Sequence, residues 1–232
     1  MPGRRLLWAA AGAAAGYWLP SVTQPVPGLR GVFGVEDRAA PGAHVALTFD
    51  DGPHAEGTPA VLEALRHAGA AATFFLVGEQ VARAPALAAE VAAAGHAVGL
   101  HCHRHRNLMF LTPRQVEDDL ARAQEAIAAA TGATPHLYRP PYGILTAAGL
   151  AAARRRGWRT FLWRRWGRDW SARATPAGIC ERLTAGVRAR DVLLLHDSDA
   201  YSAAGSWRRT AAALPRVLDR LGEAGLGTVA LG

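Results

Sequence analysis

Apolar and polar residues alternate along the chain in a repeating order from residue 44 onward. Short runs rich in β-branched and aromatic residues predict strands, and longer stretches with the spacing of amphipathic helices separate them. The predicted strands lie at 45–49, 72–77, 96–100, 136–139, 158–163, 192–196 and 226–231. About seven strands that alternate with helices predict an α/β fold with a parallel sheet, because parallel strands need long crossover connections. The pattern leaves open whether this sheet closes into a barrel or stays open and doubly wound.

Turn-forming residues mark the ends of the predicted helices. Thr112 is a predicted N-cap, with Pro113 at the first helical position and Gln115 at the third. Glycines that would adopt the left-handed conformation follow five helices, at Gly69, Gly95, Gly132, Gly157 and Gly225. No Gly-x-Gly-x-x-Gly motif follows the first strand, so nothing in the sequence supports dinucleotide binding.

The N-terminal segment has the pattern of an export signal. Arg4 and Arg5 precede an apolar run rich in Ala and Gly that ends near Pro20. The run is short for a membrane-spanning helix, so we predict a signal peptide that exports the protein to the cell envelope or the exterior. No clear cleavage site follows it. An uncleaved anchor formed by residues 4–20, which would associate with the membrane, is the alternative.

Composition divides the chain into three segments and constrains its partners. We predict a signal peptide or anchor at 1–20, a Pro- and Gly-rich linker at 21–43 and a folded domain at 44–232. The hydrophobic content of 50% and the mean hydropathy of +0.03 are typical of a globular domain. The net charge of +7 comes entirely from arginine. Because the arginines are scattered and no recognition helix stands out, we predict no nucleic-acid partner, while a wall polymer or an anionic membrane surface would suit the charge.

Two neighbouring carboxylates follow the first predicted strand. Asp50 and Asp51 end the alternating run and precede a turn at Gly52 and Pro53. Neighbouring residues of a strand point to opposite faces, so we expect the two acids to hold different tasks at one place. One would bind a metal while the other accepts a proton. The alternative is a solvated turn of ordinary composition.

Three of the nine histidines lie within five residues, at His101, His103 and His105. Neutral imidazoles come together most often around a divalent cation, which predicts a metal site. The alternative is a His-rich surface loop that binds no ligand. In an extended segment all three would share one face, so His103 competes with the other two as a ligand. Cys102 lies between them, and Cys180 is the only other cysteine. Two cysteines do not make a disulfide framework, so a single disulfide and a free thiol at Cys102 are both open.

The chemically active residues follow the predicted strands. In chain order they are Asp50, Asp51, His101, Arg139, Asp169, Trp170 and His196. The carboxyl ends of parallel strands meet at one edge of a sheet, which is where α/β barrels place their active sites. This coincidence predicts an enzyme.

Five blocks of residues stand out along the domain. The blocks are Thr48-Phe49-Asp50-Asp51-Gly52-Pro53, His101-x-x-x-His105 followed by Asn107-Leu108, Arg139-Pro140-Pro141-Tyr142-Gly143, Asp169-Trp170 and Leu194-Leu195-His196-Asp197. In this order they resemble the polysaccharide deacetylases of carbohydrate esterase family 4, which share the NodB-homology domain. The resemblance covers roughly residues 44 to 231. It implies a distorted (β/α) barrel and a metal-dependent hydrolase that cleaves linear amides.

The resemblance also implies a metal site and a general base. Asp51, His101 and His105 would bind a divalent metal, which we predict to be Zn²⁺, with Co²⁺, Ni²⁺ or Mn²⁺ as alternatives. Asp50 would be the general base, and Arg139 would orient it. An acetamide is a poor electrophile, so a polarised carbonyl and an activated water suit this reaction.

The other matched residues would act on the substrate. The backbone N–H of Tyr142 would help to stabilise the oxyanion, and His196 would be the general acid that protonates the leaving amine. Leu194 and Trp170 would line the pocket for the acetyl methyl group.

One departure from the family pattern concerns the aromatic residues. Trp166 stands three residues before Asp169, where the family often has another aspartate, so Asp169 would have to tune His196 here. Trp166 would instead join Trp163 and Trp170 as a stacking surface for sugar rings.

The sequence therefore predicts an exported, metal-dependent hydrolase that removes N-acetyl groups from an amino-sugar polymer. Peptidoglycan, a chitin-like polymer and an exopolysaccharide are all candidate substrates. An O-acetyl esterase acting on polysaccharide is one alternative. A catalytically inactive carbohydrate-binding domain at the cell surface is a second, and Trp166 is its only support. A domain that binds the envelope through its basic surface is a third.

Overall fold

The computed structural model describes residues 19–20 and 29–232 of the chain. The predicted signal peptide or anchor at 1–20 therefore lies almost entirely outside the described residues, as does the first part of the predicted linker. Within the described residues, no helix combines the length and the apolar character that crossing a bilayer requires.

Nine strands in the described part of the chain form one sheet, and all paired strands run parallel. They are β1 (Val35–Glu36), β2 (His44–Asp50), β3 (Thr73–Val77), β4 (Ala97–Cys102), β5 (Leu137–Tyr138), β6 (Arg159–Phe161), β7 (Arg165–Trp166), β8 (Val192–His196) and β9 (Gly227–Thr228). Their order across the sheet is β1-β6-β5-β4-β3-β2-β8-β7, and β9 pairs with β2 beside this path. The sheet curls into the distorted α/β barrel that the resemblance implied, so the predicted fold class is confirmed.

Two of the nine strands were not predicted from the sequence. The strand β7 has only two residues and follows β6 without a helix between them, so the alternation of strands and helices does not indicate it. The strand β1 lies within 21–43, the segment predicted as a linker. Val35 pairs with Thr160 of β6, and Ala39 is buried in the barrel interior. The sheet therefore extends into the second half of that segment.

Helices cover the outer face of the sheet. They are α1 (Leu29–Val32), α2 (Gly57–His67), α3 (Gly78–Arg83), α4 (Pro85–Ala93), α5 (Pro113–Thr131), α6 (Ala147–Arg155), α7 (Pro176–Thr184) and α8 (Ser206–Glu223), with 3₁₀ turns at Leu108–Phe110 and Pro141–Gly143. Most of these helices connect one parallel strand to the next, as the alternating pattern predicted.

The helix ends carry the predicted signals. Thr112 Oγ1 accepts a hydrogen bond from the Gln115 backbone N–H, and Gln115 Oε1 accepts one from the Thr112 N–H, which completes a capping box at the start of α5. The predicted C-terminal glycines all have left-handed φ values, between +59° and +83°. Gly132 is one of them, and its N–H donates to the Ala128 carbonyl oxygen at the end of α5.

The alternation along β2 builds two separate apolar cores. Leu47 and Phe49 belong to the cluster that packs beneath the helices. Ala46 belongs to a second cluster with Phe75 and Phe161, which come from other strands and fill the barrel interior. Side chains two residues apart share a face, so Thr48 and Asp50 also point into the barrel.

The strand register collects the predicted site residues at one end of the barrel. Asp50 ends β2 and pairs with His196, which ends β8. His101 lies one residue before the end of β4, and Arg139 follows β5 directly. The carboxyl ends of the central strands therefore surround a common space.

Candidate active site

A cavity of about 320 Å³ opens at the carboxyl ends of β2, β4 and β8. Its polar wall consists of Asp50, Asp51, His101, His105 and His196. The rest of its lining is largely aromatic and consists of Tyr142, Trp163, Trp166, Trp170, Leu194, Tyr201 and Ser202. All of the predicted site residues except Arg139 and Asp169 line this cavity. A larger cleft of about 760 Å³ between α2 and α4 contains none of them.

Asp50 and Asp51 both face this cavity, although alternation in a strand predicted opposite faces for them. Asp50 is the last residue of β2, and Asp51 has a φ of +80°, which turns its carboxylate back toward the cavity. In the turn that follows, Asp197 lies very close to the backbone of Gly52: a Cβ on Gly52 would lie 2.3 Å from Asp197 Oδ2. Only glycine fits this close approach, which accounts for the residue that follows the two acids.

Asp51, His101 and His105 direct three ligand atoms to one point. His105 Nε2 lies 3.3 Å and His101 Nε2 lies 3.6 Å from Asp51 Oδ1. The three ligand atoms all lie within 4.8 Å of one another. His101 Nδ1 lies 2.7 Å from the carbonyl oxygen of Arg139. Because that oxygen can only accept, Nδ1 carries the proton and Nε2 turns its lone pair toward Asp51.

The surroundings of these ligand atoms suit a cation. Asp51 Oδ1 is buried and accepts no hydrogen bond from the described residues. Burial lowers the pKa of both His101 and His105 to about 3, so both imidazoles are neutral. Burial also raises the pKa of Asp51 to about 7, and a cation among these ligands would hold that carboxylate ionised. Two neutral imidazoles and one carboxylate are a donor set that fits the predicted divalent metal.

His103 lies outside this group, although an extended segment would have placed it beside His101 and His105. The strand β4 ends immediately before His103, and the chain bends there. The His103 backbone N–H donates to Asp119 Oδ2 at 2.7 Å, which fixes the bend. Its imidazole packs against Gly78, where a Cβ would lie 2.7 Å from His103 Nδ1. The structure therefore separates His103 from the ligand atoms of the other two histidines.

Arg139 binds Asp50 from behind the cavity. Its Nη1 donates to Asp50 Oδ1 at 2.7 Å and to Thr48 Oγ1 at 2.8 Å. Its Nε donates to the carbonyl oxygen of Phe161, and its guanidinium carbon lies 4.1 Å from the centroid of the Phe75 ring. Burial raises the pKa of Asp50, and the charge of Arg139 opposes that change.

His196 is held by Asp169 through two contacts. His196 Nδ1 lies 2.9 Å from Asp169 Oδ1, and the His196 backbone N–H donates to Asp169 Oδ2 at 2.7 Å. The Thr210 hydroxyl donates to the same Oδ2 at 2.8 Å. Burial alone would lower the pKa of His196, but the carboxylates of Asp169, Asp51 and Asp50 outweigh burial and raise it to about 10. His196 is therefore an imidazolium whose Nε2–H remains available to the cavity.

Trp163, Trp166 and Trp170 form an aromatic row along the cavity. Neighbouring ring centroids in the row are 6.1 and 6.2 Å apart. Trp166 and Trp170 are 36% and 41% exposed, so their rings are accessible to a ligand. Asp169 contacts His196 directly despite the tryptophan at position 166. The alternative of an inactive binding domain, which rested on Trp166, therefore loses its support.

Tyr201 is a cavity residue that the sequence did not single out. Its ring stacks on His105, with centroids 4.4 Å apart and an angle of 16° between the planes. The Tyr201 hydroxyl donates to Glu79 Oε1 at 2.6 Å and accepts from Gln80 Nε2 at 3.2 Å. Tyr142 packs edge-on against the same imidazole at 4.5 Å. Tyr201 is far from His105 in sequence, and no motif marks this residue within its Gly- and Ser-rich loop.

Other candidate side chains make structural contacts instead. His54 Nδ1 accepts a hydrogen bond from the backbone N–H of Gly57 at 2.9 Å, and His54 Nε2 lies 3.2 Å from Asp199, so this histidine shapes the turn before α2. Cys102 and Cys180 are both buried, free thiols, and neither lines the cavity.

A curled parallel α/β barrel with this donor set, a buried carboxylate and a carboxylate-bound imidazolium is the arrangement of a metal-dependent hydrolase. Residues 37–161 match the family model described as polysaccharide deacetylase. The chain belongs to this polysaccharide deacetylase family, and the predicted enzyme class is confirmed.

Relatives of known name cover most of the chain. A chitooligosaccharide deacetylase of Bradyrhizobium sp. is 39% identical over 154 residues, which are 66% of this chain and 70% of that protein. A peptidoglycan-N-acetylglucosamine deacetylase of Bacillus cereus is 34% identical over 184 residues, which are 78% of this chain and 83% of that protein. The structure of a family 4 carbohydrate esterase from Streptomyces lividans in complex with acetate is 32% identical, with a TM-score of 0.73 over 83% of this chain and 100% of that one.

Proposed function

We propose that this protein hydrolyses the N-acetyl groups of an amino-sugar polymer of the cell envelope. One observation carries the proposal: the donor set of Asp51, His101 and His105 shares a single cavity with the buried Asp50 and the imidazolium of His196. Amide hydrolysis needs a polarised carbonyl, a base for the attacking water and an acid for the leaving amine. The cavity offers one group for each of these tasks.

Asp51, His101 and His105 would hold the metal, with Zn²⁺ as the first candidate and Co²⁺, Ni²⁺ or Mn²⁺ as alternatives. Two imidazoles and one carboxylate suit zinc and leave coordination positions open. When bound, the metal would polarise the acetyl carbonyl and lower the pKa of a water molecule. The carbonyl oxygen of Arg139 supports this site, because it fixes the tautomer and the ring orientation of His101.

Asp50 would accept the proton of the attacking water. Arg139 engages Asp50 Oδ1, while Asp50 Oδ2 lies 4.0 Å from His101 Nε2, beside the donor set. The charge of Arg139 favours the carboxylate form that a base needs and opposes the effect of burial. Arg139 would therefore orient Asp50 and favour its charged form.

His196 would protonate the leaving amine. Asp169 holds its Nδ1, so Nε2 is the nitrogen that can donate into the cavity. The backbone N–H of Tyr142 would donate to the oxyanion. Tyr142 has a left-handed φ of +58°, so the backbone here runs in a different direction from that of a regular turn. Removal of one such donor costs on the order of 2.7–4 kcal/mol of transition-state stabilisation in comparable sites.

The apolar part of the cavity would bind the acetyl group and the sugar rings. Leu194 of β8 and Trp170 line the cavity beside His196 and would contact the acetyl methyl group. Trp166 and Trp163 continue the aromatic surface and would stack on neighbouring rings of the polymer.

The names of the relatives suggest the polymer and the location. Those relatives are named for chitooligosaccharides and for peptidoglycan, so both are candidate substrates here, with an exopolysaccharide as a third. A wall substrate requires an enzyme outside the cytoplasmic membrane, which agrees with the export signal predicted at 1–20. Membrane attachment through residues 4–20 belongs to the same proposal.

Acetate release after metal exchange tests this function. The purified full chain is stripped with a chelator, refilled with zinc, cobalt or nickel, and incubated with chitooligosaccharides or peptidoglycan fragments. We expect release only from metal-loaded protein, and none from a matched Asp51→Asn variant. Absence of release with every metal, although mass spectrometry finds the metal bound, would contradict the proposal.

A further inference from the structure

A second cavity shares Trp166 with the active site. It has a volume of about 390 Å³, and the other residues that line it are Arg164, Arg165, Arg168 and Arg182. No acidic residue is among the described residues that line it. A cluster of guanidinium groups next to the aromatic row creates a local positive potential that attracts anionic ligands.

Two of these arginines are bound by the protein itself. Arg165 Nε donates to the carbonyl oxygen of Leu183 at 2.8 Å, at the end of α7, where the helix dipole favours a cation. Arg164 pairs with Asp37 at 3.2 Å. The positions of both side chains are therefore explained by the fold.

Arg168 and Arg182 differ from the other two arginines. Both are exposed, and neither forms an ion pair with any residue that the structure describes. The Arg168 guanidinium lies 4.9 Å from the centroid of the Trp166 ring. Arg168 also has a φ of +53°, which is uncommon for a residue with a Cβ atom. Residues in this backbone conformation cluster at functional sites.

The neighbours of Arg168 hold it in this conformation. On one side, the Gly167 N–H donates to the carbonyl oxygen of Leu194 at 3.1 Å. On the other side, Asp169 is fixed by its contacts with His196. The backbone position of Arg168 is therefore fixed by the contact of Gly167 with β8 and by the contacts of Asp169 with His196.

We propose that this basic cavity binds a carboxylate on the sugar next to the one that is deacetylated, so that the substrate is an anionic amino-sugar polymer. The inference rests on the proposed deacetylase function and names its substrate class. A chain whose ring stacks on Trp166 would reach both cavities, because Trp166 lines both. Guanidinium groups bind carboxylates through paired hydrogen bonds. Arg168 and Arg182 can supply them, because neither guanidinium group forms an ion pair with a described residue.

Two kinds of sugar could supply this carboxylate. One is the lactyl ether of a muramyl residue that carries no stem peptide, because a stem peptide converts this carboxylate into an amide, and the other is a uronic acid. The shared chemistry is a carboxylate attached to a ring of the polymer. A neutral chitin-like chain would gain nothing from Arg168 and Arg182.

The test measures binding of tetrasaccharides to the zinc-loaded full chain. The background carries Asp50→Asn, so that the ligands are not consumed during calorimetric titration. The ligands are a neutral N-acetylglucosamine tetramer, an N-acetylglucosamine–N-acetylmuramic acid tetramer, the same muramyl tetramer with its carboxylates amidated, and a hyaluronan tetramer. The amidated ligand isolates the charge, and the hyaluronan ligand distinguishes a uronate from a lactyl carboxylate.

We expect the muramyl or the hyaluronan tetramer to bind more tightly than the uncharged ligands. Arg168→Asn and Arg182→Gln should each weaken that binding by about fivefold and leave the neutral tetramer unaffected. Asparagine suits position 168 because it tolerates a left-handed φ. The matched control is Arg220→Gln, which removes an exposed arginine from the last turn of α8, at the opposite end of the barrel, and should change neither affinity.

Equal affinities for the charged and the amidated tetramers would overturn the proposal. Equal losses in Arg168→Asn and Arg220→Gln would also overturn it, because they would indicate a non-specific effect of net charge. Acetate release by the wild-type protein from each of the four tetramers is measured in parallel. Its absence from all four would refute the deacetylase proposal alone, since the binding comparison is read without turnover.

Discussion

Arg139 Nη1 lies 2.7 Å from Asp50 Oδ1, and both side chains are buried at the carboxyl end of the barrel. Desolvation of two charges offsets most of their attraction, so a buried pair of this kind contributes little net stability. Removal of one partner is costly, because the other charge is then left without compensation. The pair is better explained by function, since it fixes a carboxylate beside the donor set of Asp51, His101 and His105.

Asp50→Asn should separate catalysis from metal binding. The substitution removes the proposed base but none of the three ligand atoms, so bound metal should stay near one equivalent. We expect kcat/KM for deacetylation to fall by about 10²–10⁴-fold, the usual contribution of a general base. Acetate release and metal content, measured on the same sample, check this. Near-normal activity in the variant would show that another group accepts the proton.

Arg139→Met should destabilise the metal-free protein in a pH-dependent way. It leaves Asp50 buried without its partner, at a cost of about 3–5 kcal/mol while Asp50 is ionised. Loss of Arg139 raises the pKa of Asp50 further, because burial is then unopposed. The folded variant therefore holds a proton that the unfolded chain releases, so its free energy of unfolding should fall as the pH rises above the ordinary carboxyl range.

Urea denaturation at several pH values measures this effect, and a second substitution controls for its cause. In the double variant Arg139→Met, Asp50→Asn the residue at position 50 carries no charge at any pH. The added pH dependence should therefore disappear. If the single and double variants depend on pH alike, Asp50 is not the group responsible.

The sequence could predict most of the fold and much of the site because both follow local rules. Buried strands such as β2 and β3 appear as apolar runs, and Thr112 with Gln115 marks the start of α5 by a local hydrogen-bond pattern. The carboxyl ends of parallel strands must meet, so the positions of Asp50, His101 and His196 relative to their strands predicted a common cavity.

Other parts of the site depend on contacts that no local pattern contains. The turn of Asp51 toward the cavity requires the approach of Asp197 to Gly52. The exclusion of His103 depends on a bend fixed by Asp119, sixteen residues further along the chain. Tyr201 reaches His105 only through the tertiary fold, and β1 is too short to show a period.

His105→Ala and His103→Ala should differ in metal binding. Loss of a residue that only supports a metal ligand lowers the metal affinity by about 10–100-fold. Removal of His105 deletes one of the three ligand atoms, so the metal affinity should fall by more than that. His103 packs against Gly78 instead, so its removal should leave the affinity near the wild-type value. Competition with a chromogenic chelator measures both. Weaker binding in His103→Ala alone would exchange the roles of the two histidines.

Asp169→Asn should move the alkaline limb of the pH profile to lower pH. The general acid must be protonated, so activity is lost as the pH rises through the pKa of His196. The carboxylates near His196 outweigh burial and raise that pKa to about 10, and Asp169 is the foremost of them. Its neutral replacement therefore lowers the pKa of His196, and kcat/KM should begin to decline at a lower pH on the alkaline side.

Thr210→Val is the control, because it keeps the carboxylate of Asp169 and removes only a hydroxyl donor. An unchanged alkaline limb in Asp169→Asn would assign the limb to a different group.

Tyr201 should support metal binding through the orientation of His105. The ring of Tyr201 stacks on that imidazole, and its hydroxyl is anchored to Glu79. Tyr201→Ala removes the stack, so His105 gains rotational freedom and the metal affinity should fall by about tenfold, as for other outer partners. Tyr201→Phe keeps the stack and loses only the hydroxyl contacts, so it should retain most of the affinity. Thermal unfolding of the metal-free variants separates this effect from a general loss of stability. If Tyr201→Ala binds zinc as tightly as the wild type, the stacking contact does not position the ligand.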